Sequence, residues 1–409
     1  MSQANASTTT APRPGLLGRF GVDVDNGPAL AAGAALVLGA IAVWQAVDLR
    51  QAALFLIGGA LGATLYHAAF GFTGGWRRLV VERRGRAMRA QMLMIGLAAI
   101  VFMPLLAAGE VFGTALVGSV APVGVSVLVG AALFGLGMQL GGGCGSGTLF
   151  TVGGGSSRML VTLAFFVIGA VAGSWHLPWW LEQPGLPPVS LGASLGVSGG
   201  LAVTLVGLAL VAALTVWVER RRHGTLEPAP TPPRHGLGRL LHGPWPLLGA
   251  ALLLAGLNVA TLLVAGHPWS ITFAFGLWGA KTAQVVGVPV ENWAFWNWPG
   301  PQAALGDSVL FDTTSVMNFG ILIGAALAAA LAGKFAPKAA LPWRSLAAAI
   351  IGGLLMGYGA RLAFGCNIGA LFSGIASGSL HGWLWFAAAF AGSLIGIRLR
   401  PLFGLDGGK

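Results

Sequence analysis

Long apolar runs recur along nearly the whole chain, at about 29 to 47, 91 to 108, 122 to 142, 159 to 177, 195 to 217, 245 to 264, 315 to 333, 344 to 363 and 382 to 397. Each comes close to the ~20 residues a helix needs to cross a hydrocarbon layer roughly 30 Å thick. That repeated length decides the solvent. Only 9% of the 409 residues are charged, against about a quarter in an ordinary soluble domain, so charge cannot clothe this much apolar surface and lipid must. The expected fold is an all-α polytopic membrane protein, because a helix satisfies its own backbone polar groups where water is absent.

Two stretches are less regular. Residues 51–76 begin apolar and pass through LYHAAFGFTGGW, and residues 269–285 read WSITFAFGLWGAKTAQV. Each either spans or dips in and returns as broken helix, which is tolerable only where protein or a water-lined cavity surrounds it. The first 28 residues form a Ser, Thr, Ala and Pro rich tail without the apolar core of a signal peptide, so the first span is expected to direct insertion. PAPTPPRHG, within 226 to 243, reads as a linker. The expected organisation is a polar tail (1–28), a first membrane half (29–217), a Pro/Arg-rich loop (218–244), a second half (245–400) and a short tail (401–409).

The net charge of +11 suggests nucleic acid at first sight. The arginines, however, gather beside span ends, in VERRGRAMR at 81 to 89, in ERRR at 219 to 222 and from Arg234 to Arg239. Cytoplasmic loops have this character under the positive-inside bias. The surface partner expected is membrane lipid, not nucleic acid, and the location is the inner (plasma) membrane, multi-pass. Two cysteines, neither in a CxxC nor among histidines, support no disulfide framework and no metal site. No P-loop or haem-like histidine pair points to a cofactor.

An internal repeat organises what remains. VGAALFGLGMQLGGGCGSGTLF at 129–150 aligns with IGGLLMGYGARLAFGCNIGALF at 351–372, an offset of 222, with ten of 22 positions identical. The alignment superposes the only two cysteines, Cys144 and Cys366. Arg77 to Arg89, the 219–239 loop, and Lys334, Lys338 and Arg344 mark cytoplasmic ends, whereas ENWAFWNWPG at 291–300 reads as external and interfacial. With those assignments the span before Cys144 runs inward and the span before Cys366 runs outward, which is an inverted repeat with 269–285 re-entrant. If 269–285 crosses fully, the repeat is parallel.

Each cysteine follows an apolar span and lies in a glycine-rich break, QLGGGCGSG or RLAFGCNIG. Glycines such as Gly143, Gly145 and Gly365 let backbone approach a small ligand. A short helix starting behind each break would aim its unpaired N–H groups at an anion, as in the discontinuous helices of transporters. The plain alternative is packing through small residues. That suits Gly169 with Gly173 and Gly392 with Gly396, inside uninterrupted apolar helix, better than GGGCGSG, whose consecutive glycines point to different faces. For the cysteines, the plain alternative is a small buried hydrophobe.

Charges inside apolar stretches are informative because they are costly there. Arg361, five residues before Cys366 where the first half has Gln139, would concentrate an anion or snorkel to the interface. Lys281 is a path candidate or an interfacial lysine. His67 is a proton or hydrogen-bond donor to substrate, or structural. The Asn367 amide directly follows its cysteine and can orient a substrate. A thiol carrying a persulfide is the enzymatic alternative, but no His, Lys or Asp lies within four residues of either cysteine to activate it; no enzyme is expected.

GGGCGSG and FGCNIG, at the ends of equivalent spans in a duplicated membrane protein, resemble the YeeE/YedE sulfur-transport family over essentially residues 29 to 400. The resemblance implies short helices meeting at a central constriction. It also implies cysteines that pass thiosulfate along by transient S–H contacts, with Cys144 and Cys366 in those roles. The implied partner is a small inorganic sulfur anion, thiosulfate or a related sulfur or selenium species, handed to a cytoplasmic sulfurtransferase. Where the family has a further cysteine, this chain reads HAAFGFTGGWR, so Gly71 takes the cysteine position while Thr73, Gly74 and Arg77 keep its surroundings.

Overall fold

The computed structural model describes residues 26–229, 236–335 and 341–405. The polar tail up to residue 25, the linker core at 230–235 with Arg234, Lys338, and residues 406–409 lie outside the described residues. The first series of helices is α1 (Asn26–Ala46), α2 (Leu49–Ala68), α3 (Phe72–Val81), α4 (Arg86–Ala108), α5 (Val125–Gly141), α6 (Gly145–Gly153), α7 (Ser157–Leu181) and α8 (Leu191–His223). After α9 (Gly236–His242) come α10 (Leu247–Ala265), α11 (Thr272–Val285), α12 (Pro299–Gly306), α13 (Thr313–Leu331) and α14 (Trp343–Leu362). A π-helix (Asn367–Ser373) then runs into α15 (Gly374–Ala376), and α16 (Leu380–Leu399) follows. Two two-stranded ribbons, Glu110–Val111 with Thr114–Ala115 and Val123–Gly124 with Gly185–Leu186, trim the loops at one end.

Among the described residues ten helical segments are long and apolar enough to cross a membrane. The irregular stretch at 51–76 supplies one of them, Leu49–Val81, as two helices joined at a break. The stretch at 269–285 forms only the 14-residue α11, short of the ~20 residues a full crossing needs. Within the 226–243 linker segment lies α9, and Glu227 pairs with Arg78 at 3.0 Å.

The helix ends follow local chemistry. Asp48 caps α2 by accepting from the Gln51 N–H at 2.7 Å, and Asp312 caps α13 by accepting from the Ser315 N–H at 2.7 Å, each satisfying a donor the first turn leaves open. Helix α5 ends on left-handed Gly142 (φ 92°). Its last carbonyls are taken by arginines: Arg158 donates to Leu140 and Gly141, each at 2.6 Å, and Arg400 donates to Gln139 at 2.7 Å. Cations suit the negative end of a helix. Helix α2 ends on left-handed Ala69 (φ 46°), without the glycine that usually takes that conformation.

Packing follows the repeat. Helix α2 lies along α13 as α10 lies along α4; α7 lies along α14 as α16 lies along α5; α1 flanks α13 as α8 flanks α4. Equivalent helices thus exchange partners, the pattern of a two-fold bundle, with α8 packing as the counterpart of α1 although it falls within residues 29–217. At its centre α5 and α14 run antiparallel in close contact: the Ser126 hydroxyl donates to the Leu362 carbonyl at 2.6 Å, Gly130 faces Gly359, and Gly137 faces Gly352. Equivalent glycines repeat the theme, Gly135 against the Ala389 carbonyl and Gly357 against the Phe166 carbonyl, which is how small residues let membrane helices meet backbone to backbone. Leu30, Val37 and Leu38 of α1 and Val206, Leu210 and Leu214 of α8 stay exposed on the outside, where lipid is the solvent.

The bundle has two unlike ends. At the arginine end Arg84, Arg89 and the Gly85 N–H converge on the buried Glu219 carboxylate. At the tryptophan end lie Trp175, Trp179, Trp180 and Trp298, with the Trp180 indole donating to the Tyr358 hydroxyl at 2.8 Å.

Candidate functional site

Helix α5 and α14 point in opposite directions, yet the breaks that follow them turn back to one place. Cys144 is the N-cap residue of α6 and Cys366 that of the π-helix, both extended at ψ −166° and −163°. Both thiols are buried, at 1% and 0% exposure. A methyl group at Gly145 would stand 2.9 Å from Cys366 Sγ, and one at Gly147 would stand 3.5 Å from Cys144 Sγ. Glycine at 145 is therefore what lets the second thiol approach the start of the first short helix.

From this meeting point the short helices diverge. Helix α6 ends with Gly153 against the Leu322 carbonyl and Gly154 against Tyr66, toward the arginine end. The π-helix and α15 lead to Ser377, which accepts from the Ser119 N–H at 3.0 Å, and to Gly378, which accepts from the Leu191 N–H at 2.7 Å, toward the tryptophan end. Two helix starts thus face each other with their first N–H groups free of intrahelical partners. Some of this capacity is visible locally: the Ile368 N–H donates to Cys366 Sγ at 3.4 Å, and Ser146 Oγ lies 3.5 Å from Cys144 Sγ.

The sequence candidates fall into two groups. Cys144, Gly143, Gly145, Cys366, Gly365 and Asn367 are brought together. Gly143 has little room for a side chain, since a methyl there would stand 3.0 Å from the Gly147 carbonyl carbon and 3.1 Å from the Thr148 nitrogen, and Gly365 adopts φ 149°. The Asn367 amide is fully buried with neither Nδ2 nor Oδ1 partnered among the described residues. The other candidates lie apart. Thr73, whose carbonyl accepts from Gln139 at 3.2 Å, and Gly71, which begins α3, belong to the arginine end. The His67 ring packs 5.1 Å from that of Trp245. Lys281 donates to the Leu305 and Asp307 carbonyls at 2.7 and 2.6 Å, tying α11 to the loop beside α12.

A cavity opens at each end. The one at the arginine end, about 370 Å³, is lined by Gly71, Gly74, Gln91, Arg78, Arg86 and Trp245. Of the cavities at the tryptophan end, one of about 280 Å³ is lined by Ser270, Thr272, Phe273, Phe295, Arg361 and Gly365 and so reaches the residue before Cys366.

Sequence reading missed the residues that hold the connection before α11 in place. Asn258 accepts from the Trp269 N–H at 2.8 Å and donates to Ser373 at 3.2 Å, and Asn318 donates to the Ile271 carbonyl at 3.0 Å. Their signal was present: each is an amide inside an otherwise apolar span, where a polar group needs a reason.

A many-spanning helical bundle with opposed short helices at its centre and a cavity toward each end has the build of a membrane transport protein. The chain belongs to the Sulphur transport family, whose sequence profile matches residues 67–395. It is similar to Probable transporter YedE of Escherichia coli (strain K12), 33% identical over 161 residues, covering 39% of this chain and 39% of that protein. Thiosulfate transporter TsuA of Spirochaeta thermophila is 29% identical over 277 residues, covering 64% of this chain and 73% of that protein. Thiosulfate transporter TsuA of Escherichia coli (strain K12) is 27% identical over 340 residues, covering 80% and 88%. The match thus spans about two fifths of YedE and most of either TsuA.

Proposed function

We propose that this chain carries a small sulfur-containing anion, thiosulfate foremost, across the inner membrane into the cytoplasm, by way of the Cys144 and Cys366 breaks. One observation carries the reading: two buried thiols share a meeting point with two opposed helix starts. A dianion is too costly to leave bare in hydrocarbon, so N–H groups must replace its water, and a thiol offers a weak, soft donor to a terminal sulfur. Binding there has to stay weak enough for escape, as in any ion path. The names of the family and of the similar TsuA proteins support transport and not catalysis.

The same proposal makes the repeat inverted, with residues 29–217 and 245–400 as its halves and the arginine end facing the cytoplasm. It is supported by the antiparallel α5 and α14 and by the arginines at one end. Glu82, exposed in the turn before α4, and Val286, 73% exposed beyond α11, are sites for testing this. Gly85 is unsuitable, since any side chain would strike Thr215. In a background lacking Cys144 and Cys366, an impermeant thiol reagent applied to intact cells should label Val286→Cys and spare Glu82→Cys; the reverse pattern overturns the orientation. The transport test is uptake of labelled thiosulfate by proteoliposomes, with sulfate and selenite as competitors. Uptake no greater than in empty vesicles, from folded and correctly oriented protein, sinks the assignment.

A further inference from the structure

The cavity at the tryptophan end contains the feature that the thiols do not explain. Arg361 sits in the last turn of α14, and its Nε and Nη2 are enclosed with no hydrogen-bond partner among the described residues. The described ion pairs, Arg78 with Glu82 and Glu227 and Glu219 with Arg84 and Arg89, all lie at the opposite end. In a low-dielectric setting an unpaired guanidinium is costly unless something compensates it.

The surroundings hold the group in place without neutralising it. The guanidinium carbon stands 4.5 Å from the centre of the Phe295 ring and 5.7 Å from that of Phe273, cation–π distances that stabilise the charge through its flat face. A methyl at Gly276 of α11 would overlap Nη2, and one at Gly173 of α7 would stand 2.8 Å from Arg361 Cβ. Glycines on two helices therefore keep the space this side chain fills. Stacking occupies the faces of a guanidinium and leaves its N–H groups as the part able to donate to an oxyanion.

We propose that the Arg361 cavity is a binding site for small divalent oxyanions, separate from the cysteine pair, recognising charge and oxygen geometry and indifferent to a terminal sulfur. The site deepens the transport reading above, on which it rests: charge is selected at Arg361, with Ser270 and Thr272 also lining the cavity, and sulfur is selected at the thiols. Its volume of about 280 Å³ admits an ion of sulfate size with part of its hydration. Gly365, in the same lining, gives the route onward to Cys366.

The test is equilibrium binding of sulfate and of thiosulfate, each titrated calorimetrically into the purified full chain. Wild-type protein should bind both ions, and the Cys144→Ala/Cys366→Ala variant should retain sulfate binding at close to the wild-type affinity. Arg361→Gln should weaken both by about tenfold to a hundredfold, the loss expected for a charged hydrogen-bond donor, and Arg361→Lys should fall between. Should Arg361→Gln not fold, Gly276→Ala displaces the same Nη2 and should weaken both ions. The proposal is overturned if wild-type protein does not bind sulfate, if a folded Arg361→Gln binds normally, or if removal of the thiols abolishes sulfate binding. Protein that binds both ions through Arg361 and yet moves no thiosulfate refutes the transport assignment while leaving this site intact.

Discussion

The two glycine-cysteine breaks occupy equivalent places in one repeat, and they differ where chemistry requires it. Each places a buried thiol at the N-cap of a short helix, and each follows a span seamed by glycines. Beyond that they part. Gly145 follows the first cysteine and Asn367 the second. Gln139, bonded to Ser393 at 2.7 Å and to the Thr73 carbonyl, occupies the position where the second half has Arg361 with two enclosed nitrogens that lack a partner among the described residues. The first short helix is α, whereas the second is π, its Cys366 carbonyl accepting from both Ala370 and Leu371 at 3.0 and 3.3 Å. Duplication supplies a symmetric frame. Departures from symmetry make the two ends chemically different.

The comparison can be broken most severely at the thiols. Cys144→Ala and Cys366→Ala should each lower thiosulfate uptake by about tenfold to a hundredfold, the range for losing a hydrogen bond to a charged group, with thermal unfolding nearly unchanged because nothing larger enters. Similar losses at both positions would mean that the halves act as equals at the constriction. A loss confined to Cys366 would place selection in the second half alone.

Gly145→Ala comes next. Its methyl would press on Cys366 Sγ from 2.9 Å, whereas Gly147→Ala meets Cys144 Sγ at an ordinary 3.5 Å. Overpacking of this kind costs about 1–3 kcal/mol, so uptake should drop roughly tenfold in the first variant and little in the second. Equal effects would show that the contact across the repeat does not matter. Asn367→Gly, which copies the first break into the second, should cost less, about two- to tenfold in apparent affinity for one neutral hydrogen bond, read from concentration dependence of uptake. The smallest change is expected of Gly71→Cys. A methyl there has no neighbour nearer than the Ala69 carbonyl at 4.0 Å, so the variant should fold normally and shift competition between thiosulfate and sulfate modestly toward thiosulfate. An unchanged preference would mean that this position has left the path.

Spans and breaks were legible because their signals are local: an apolar run of the right length, then glycines on successive faces with a cysteine among them. The repeat was legible because both breaks kept their spacing. Glu219 was not. In sequence it is one charge in ERRR, yet it is a buried acceptor for Arg84, Arg89 and the Gly85 and Glu227 N–H groups, and only the approach of α8 to α4 reveals that. The left-handed Ala69 lacked the glycine that would have announced the end of α2. Lys281 was readable as a path candidate or an interfacial lysine, but its carbonyl partners, more than twenty residues away, leave no trace in the pattern around it. The meeting of Gly145 with Cys366 was likewise beyond reading, since it depends on how two halves dock.

The antiparallel contact of α5 with α14 also imposes an order on synthesis. Ser126 and its partner Leu362 are 236 residues apart, a gap that takes roughly 10 to 50 seconds to translate at ~5–20 residues per second. Throughout that interval the glycine face of α5 has no helix to receive it and must rest against lipid or a holding factor. Neither half is a finished object on its own, and the ribosome must deliver α14 before the first cysteine acquires its counterpart.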